Sequence, residues 1–329
     1  MDRIKFLGKV WFFVLLIGGW VAVEAASAAA PSWPQKDISF VVPFKPGGGF
    51  DIQARTLAPF LEKYLPNNVN VVIKNVTGAG GKAGIMEIAR SKPDGYTIGA
   101  VGLEAVSFMR AMGELDMDIR EWSWLGQLSS DPQLITVPTA GKYKTLADMK
   151  GRDIRYGVTA EMVPSALILG QALGMKVRLV LFDGVGDAIM ALMRGDLDVL
   201  GLSWPTMSKG VRDSEGKISS LFVASKSRLS ALKDVPTLGE LGVQLTSTSA
   251  SVLATTRLVA GPKGLDKSVR ESLESAVAKA MKDPEFLQRM EKAQQMVGYA
   301  NSATIKANIA SALEAYTSVK PLVEPFLKK

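Results

Sequence analysis

Two glycine-rich stretches hold the residue types best suited to bind a small ligand. The first, Pro46-Gly47-Gly48-Gly49, follows the apolar run Phe40-Val41-Val42 and precedes Asp51. The second, Thr77-Gly78-Ala79-Gly80-Gly81, follows the run from Asn70 to Val76. Short runs rich in β-branched and aromatic residues read as strands covered on both faces. A helix is expected after each loop, over Asp51 to Leu65 and Ile85 to Arg90. Unpaired N–H groups and a partial positive charge at such helix starts suit an anion. Asp51 reads as the N-cap of the first helix. A strand-to-helix turn without any ligand has the same signature, so the loops alone do not assign a function.

Composition removes several chemistries. The chain has no cysteine and no histidine. Disulfides, thiolate metal sites, cysteine nucleophiles and a serine–histidine triad are therefore excluded. The net charge of +7 favours anionic partners, although scattered lysines give the same total. No arginine-rich run marks a nucleic-acid surface, and no nucleic-acid partner is expected. Gly78-x-Gly80-x-x-Ala83 imitates a dinucleotide fingerprint, and Gly81-Lys82 the end of a P-loop. Val76 stands where the P-loop needs its first glycine, and Ala83 where it needs Ser or Thr. No cofactor is expected, and the second loop reads as another backbone cradle.

The elements that must position these loops follow in order. Residues 1–28 read as a cleaved signal peptide: Arg3, Lys5 and Lys9, then an apolar stretch from Val10 to Val23, then Ala26-Ser27-Ala28. The apolar stretch is short for a bilayer span, which takes ~20 residues. The mature chain is expected to be soluble and exported. Alternation of strands and helices implies a largely parallel sheet, whose loops gather ligands at the strand C-terminal ends. Leu125 to Val137 reads as two strand segments separated by Ser129-Ser130-Asp131-Pro132, and a first domain crossing is placed there. A second α/β unit follows, with strands at Asp153 to Val158, Val177 to Phe182 and Leu197 to Leu202. The chain returns near Ser251 to Val259. Helices are expected from Lys267, capped by Asp266, and from Asp283-Pro284. A last helix is expected over Thr304 to Leu313, with Pro321 and Pro325 breaking the tail.

The order PFKPGGGFDIQAR, KNVTGAGGKAGIMEIA, PDGYT, and then RLSALKDVPTLGELG over residues 228–242, resembles the substrate-binding receptors of tripartite tricarboxylate transporters, the Bug family. The resemblance covers most of the chain after its N-terminus. It implies an α/β fold of the two-lobed, Venus-flytrap periplasmic binding protein type (type II-like), each lobe a mixed sheet flanked by helices. Lobe one would hold residues 29–128 and 254–329, and lobe two residues 129–253. It implies a periplasmic, monomeric receptor that binds a small organic acid and delivers it to membrane transporter subunits without turning it over. Carried over by position, the ligand residues would be Gly48, Gly49, Asp51, Gly78, Ala79, Gly80, and Ser129 or Ser130 from lobe one. Lobe two would add Thr159, Ser165, Asp183 and Gly184.

The chain also departs from that pattern. Thr159-Ala160-Glu161-Met162 replaces a small glycine and serine loop. Phe182 and Asp183 replace an expected tyrosine and lysine, and the usual tryptophan-bearing segment is blurred at Ser247 to Thr256. Two acidic residues on that side weaken a symmetrical di- or tricarboxylate. They favour a monocarboxylate with an apolar, hydroxylated or amine-bearing far end. Asp51 is an awkward direct partner for a carboxylate, since like charges repel. Two other classes share these features. A ligand sensor docking on a membrane kinase would use the same fold and site. An exported hydrolase would need Glu161, Asp183 and Asp187 to converge as acid and base.

Overall fold

The apolar runs form strands, and the strands share one continuous sheet. A computed structural model describes residues 33–244, 246 and 252–327. The expected signal peptide lies outside them, as do residues 247–251. Strand β1 (Ile38–Val42) pairs in parallel with β2 (Val71–Asn75) and β3 (Thr97–Gly102). Helix α1 (Gly49–Tyr64) joins β1 to β2, α2 (Lys82–Arg90) joins β2 to β3, and α3 (Leu103–Ala111) follows β3. Strand β4 (Ser123–Pro138) then runs the length of the molecule.

The second half continues with α4 (Leu146–Met149), β5 (Asp153–Val158), α5 (Val163–Leu173) and β6 (Lys176–Leu181). After these come α6 (Val185–Arg194), β7 (Val199–Ser203), α7 (Trp204–Asp213) and β8 (Ile218–Val223). The chain returns through β9 (Ala254–Gly261) and ends in α8 (Lys267–Ala280), α9 (Pro284–Lys292) and α10 (Ser302–Leu327). The strand order is β2-β1-β3-β9-β4-β7-β5-β6, with β8 also on β4. The βα units pair in parallel, whereas β9 and β4 pair antiparallel with their neighbours, so the sheet is mixed.

The two segments expected around Ser129 to Pro132 are one strand. Residues 123–132 of β4 pair with β9, and residues 133–138 pair with β7 and β8. Pro132 sits where the partners change, a position that tolerates its missing N–H.

Helices cover both faces of each half. Phe40, Leu57, Leu61, Val277 and Phe286 pack together on one face of the first half. Ile85, Val101, Trp124 and Ile309 pack on the other. In the second half Tyr156, Leu169, Phe222 and Val323 form one core, and Leu192, Leu202 and Met207 another. Burial on both faces explains why the parallel strands read as unbroken apolar runs.

Expected caps at Thr145, Asp266 and Asp283 accept backbone N–H groups, and Gly174 closes α5 in the left-handed conformation. Two expectations fail locally. The N-cap of α1 is Gly48, and Asp51 lies inside the first turn. Helix α10 does not break at Pro321 but continues to Leu327. Its first half packs Ile305, Ile309 and Ala312 on the first sheet half, and its second half packs Ala315, Tyr316 and Val323 on the other. That packing holds the last turns helical despite two prolines. Among the described residues no helix is long and apolar enough to cross a membrane.

Candidate functional site

The loops after β1, β2, β3, β5 and β7 lie at the C-terminal ends of parallel strands, the edge where such sheets bind ligands. Arg257, on β9 opposite Ser129, sits among them and is almost completely buried. Its guanidinium pairs with Asp131, donates from Nη1 to Ser129 Oγ at 3.2 Å and from Nη2 to Ser203 Oγ at 3.2 Å. It also stacks 4.9 Å from the centre of the Phe50 ring. Ser129 donates to Asp131 and accepts from Gln53 Nε2. One cation thus touches α1, both crossing strands and the end of β7. Burial pulls its pKa down to about 10, against the upward pull of nearby Glu104.

Gly49 packs against this group. A side-chain carbon on Gly49 would lie 2.8 Å from Arg257 Nη2 and 3.5 Å from Thr206 Oγ1 on α7. Only a hydrogen fits between the two halves here. The first intrahelical bond of α1 runs from Ile52 N–H to the Gly48 carbonyl. The amides of Gly49, Phe50 and Asp51 therefore precede the helix ladder, beside Arg257. Asp51 itself is fully engaged. Its carboxylate accepts from Gly47 N–H, Arg55 Nε and Asn75 Nδ2. Burial pushes its pKa up, but the bonds from Arg55, Gly47 and Asn75 outweigh it and hold the group below its usual value. Asp51 clasps the first glycine loop to β2.

The second loop is a run of left-handed residues, with Gly78, Ala79, Gly80 and Gly81 all at positive φ. Ala79 at φ 46° is the costly member, since side chains disfavour this region. Facing the loop from the second half is Glu161. Its Oε2 lies 3.6 Å from where a Gly80 side-chain carbon would be. Thr159 Oγ1 donates to Glu161 Oε1 at 2.6 Å. Burial raises the Glu161 pKa, with the Thr159 bond opposing. Glu104, the second residue of α3, accepts from Thr256 N–H at 3.2 Å. Burial pushes its pKa up to about 7, and Glu161 pushes the same way while Arg257 opposes. Tyr316 of α10 is almost completely buried; burial and both glutamates raise its pKa well above normal.

The remaining expected residues are placed as follows. Ser130 points out of the other side of β4 from Ser129, is exposed, and bonds to Thr256 Oγ1. Ser165 is buried and donates to the Met162 carbonyl. Asp183 is exposed, and a side-chain carbon on Gly184 would meet nothing within 4 Å. Of the three carboxylates that a hydrolase would need together, Glu161 is half-buried and bonded to Thr159, while Asp183 and Asp187 are exposed. Arg257, Asp131, Glu104, Gln53, Ser203 and Tyr316 were not expected. A lone arginine in the apolar run Leu253 to Ala260 was the available signal for the first. A hollow of about 640 Å³ also opens near Arg155 and Asp198, at the N-terminal ends of β5 and β7. It lies at the opposite strand ends from the glycine loops, and its Arg155 is already paired with Asp198.

Two outcomes follow from these charges. Arg257→Met should lower stability by about 3–5 kcal/mol, because it leaves Asp131 buried and unpaired. Adding Asp131→Asn should recover most of the loss in urea unfolding. Glu104 binds its proton more tightly in the folded chain than at its ordinary value of 4.5. The folded state therefore holds the extra proton between that value and about 7, and stability falls as pH rises through this window. The difference is on the order of 3 kcal/mol. Thermal melts across the window should show wild type losing stability toward pH 8, with Glu104→Gln flattening the slope.

Comparison with known proteins gives the family and the fold. Residues 53–322 match the tripartite tricarboxylate transporter family receptor. Protein BugT of Bordetella pertussis is 27% identical over 285 residues, covering 82% of each chain. A Rhodopseudomonas palustris structure with adipate superposes with TM-score 0.76 at 21% identity, over 89% of this chain and 98% of the other. The malate-bound MatC of the same organism gives 0.72 at 21%, over 87% and 99%. These likenesses give the two-lobed α/β fold of periplasmic solute-binding proteins. The chain belongs to the tripartite tricarboxylate transporter receptor family, the Bug family of solute-binding proteins.

Proposed function

We propose that the chain is an exported receptor that holds a small organic acid between its lobes and presents it to a tripartite tricarboxylate-type membrane transporter. The acid leaves unchanged. One observation carries the reading: the free amides at the start of α1 lie beside the buried Arg257 at the meeting point of the two halves. A carboxylate there would accept charge-assisted bonds and gain from the α1 dipole. Malate and adipate in the structural relatives support the ligand class. Lobe boundaries at 128/129 and 253/254 are part of the proposal. They are supported by the partner change in β4 at Pro132 and by β9 starting at Ala254.

Gly48 offers a clean test. It is exposed, its φ is −80°, and a side-chain carbon would meet only the Lys45 carbonyl at 3.7 Å. Gly48→Val therefore carries no left-handed strain and should fold like wild type. It should still block the approach to the loop amides. Losing one or two charge-assisted bonds, roughly 1.5–3 kcal/mol each, weakens binding by orders of magnitude. Calorimetry of refolded protein against a panel of small organic acids measures this. Wild-type affinity in folded Gly48→Val would remove the loop from the site. Gly80→Val is expected to abolish binding too, but with added strain at φ 64°. Mass spectrometry should recover the acid intact. Export is tested by the mass of secreted protein, which should begin near Ala29; retained Met1 would contradict it.

A further inference from the structure

The hollow of about 640 Å³ in the second half lies at the strand ends away from the glycine loops. It is set among the end of β4, the start of β5 and the turns that precede β7 and β8. Pro138 of β4 pairs with Ile218 of β8, and the Thr139 N–H donates to the Lys217 carbonyl at 2.8 Å. Lys217 therefore flanks the end of β4. Tyr143, Met193 and Leu197 give the hollow an apolar wall. Its charges come from Lys142, Arg155, Arg194, Lys217 and Asp198.

These charges do not balance. Asp198 is the one carboxylate on the wall among the described residues, and both of its oxygens are engaged. One accepts from Arg155 Nη2 at 3.0 Å, the other from the Arg155 N–H at 2.9 Å and from its Nε at 3.2 Å. Arg155 Nη2 also donates to the Gly195 carbonyl at 2.9 Å, so the guanidinium is fixed. Its Nη1 makes no bond to a described residue. Arg194 is paired with Asp196. Lys142 and Lys217 form no ion pair among the described residues. Lys142 Nζ lies 4.8 Å from the centre of the Tyr143 ring. That ring is itself buried, with its hydroxyl on the Asp153 carbonyl at 3.4 Å. An apolar wall, two unpaired ammonium groups and a fixed guanidinium thus line one hollow.

We infer that this hollow is a second binding site, for an organic phosphate. The phosphate meets Lys142, Lys217 and Arg155 Nη1, and the organic body packs on Tyr143, Met193 and Leu197. A phosphate brings several acceptor oxygens and up to two negative charges, which suits two ammonium groups beside one free guanidinium N–H. The volume is that of a small-molecule site. Inorganic phosphate alone would leave the apolar wall uncovered. An uncharged aromatic would leave the lysines unneutralised. A soluble phosphate ester and a phospholipid headgroup share this chemistry. The site is separate from the cleft and does not depend on the receptor reading.

The test is calorimetry of the exported protein with phenyl phosphate. Phenol and inorganic phosphate, each lacking half of the probe, should bind at least about 10-fold more weakly. Lys142 and Lys217 are exposed, so Lys142→Glu and Lys217→Glu should fold normally by circular dichroism. Each should weaken phenyl phosphate binding by about 10-fold or more. Lys282→Glu makes the same change of charge at an exposed position in the other half and should leave binding unchanged. Gly48→Val obstructs the cleft and should also leave it unchanged. Sedimentation with phosphatidylglycerol vesicles separates the two sources. Vesicle binding that is lost in both lysine variants assigns a lipid phosphate. Binding of the soluble probe without vesicle binding assigns a free phosphate ester. No binding of either probe up to millimolar concentration would overturn the inference. Equal weakening by Lys282→Glu would trace binding to net charge, and loss in Gly48→Val would place the probe in the cleft. Either result would also overturn it, and neither bears on whether an organic acid binds between the lobes.

Discussion

A guanidinium without solvent constrains everything around it. Removing such a charge from water costs several kcal/mol unless its donors are met. Arg257 meets most of that demand with Asp131 and Ser129 on one crossing strand and Ser203 at the end of β7, while its Nε is buried without a partner among the described residues. The Phe50 ring covers a face of it, and Gly49 leaves the space it occupies. These residues come from four segments far apart in the chain. Their polar identities follow from one buried charge rather than from local preference. Since Phe50 and Ser203 belong to different halves, the arginine also favours one relative placement of the two. Separating the halves would trade these bonds for water, so the net difference is smaller than the bonds themselves suggest.

The carboxylate pair works against that placement. Glu104 and Glu161 come from opposite halves, and Glu161 raises the cost of ionising Glu104. The placement that satisfies Arg257 also brings Glu161 close enough to raise the Glu104 pKa. A ligand shifts such a balance only by the amount it favours one state over the other.

Much of the scaffold was legible. The strands and helices follow from apolar periodicity, and Thr145, Gly174, Asp266 and Asp283 mark helix ends by chemistry local to the chain. The glycine loops were legible for the same reason. Errors arose where a local rule met tertiary packing. Ser129-Ser130-Asp131-Pro132 looks like a loop by composition. It is strand because β9 supplies partners across 123–132 and β7 and β8 beyond. Asp51 has the right spacing for a cap, but Arg55 and Asn75 draw its carboxylate toward β2 instead. Ser129 and Ser130 were not separable until strand alternation put one beside Arg257 and the other in solvent. Glu104 and Tyr316 were invisible, because nothing near either residue in sequence reveals that its partner lies on another element.

The last helix joins these observations. Two strands, β4 and β9, connect the halves within the sheet, and α10 connects them across the top of both cores. Its contacts change from one half to the other between Ala312 and Ala315. Any rotation of the halves must be absorbed near that point or break one set of contacts, because packed cores do not deform continuously. Tyr316, almost completely buried, follows directly after. Arg257 occupies the corresponding place on β9, beside the partner change in β4. The buried arginine and tyrosine thus sit on the segments that pass between the two halves.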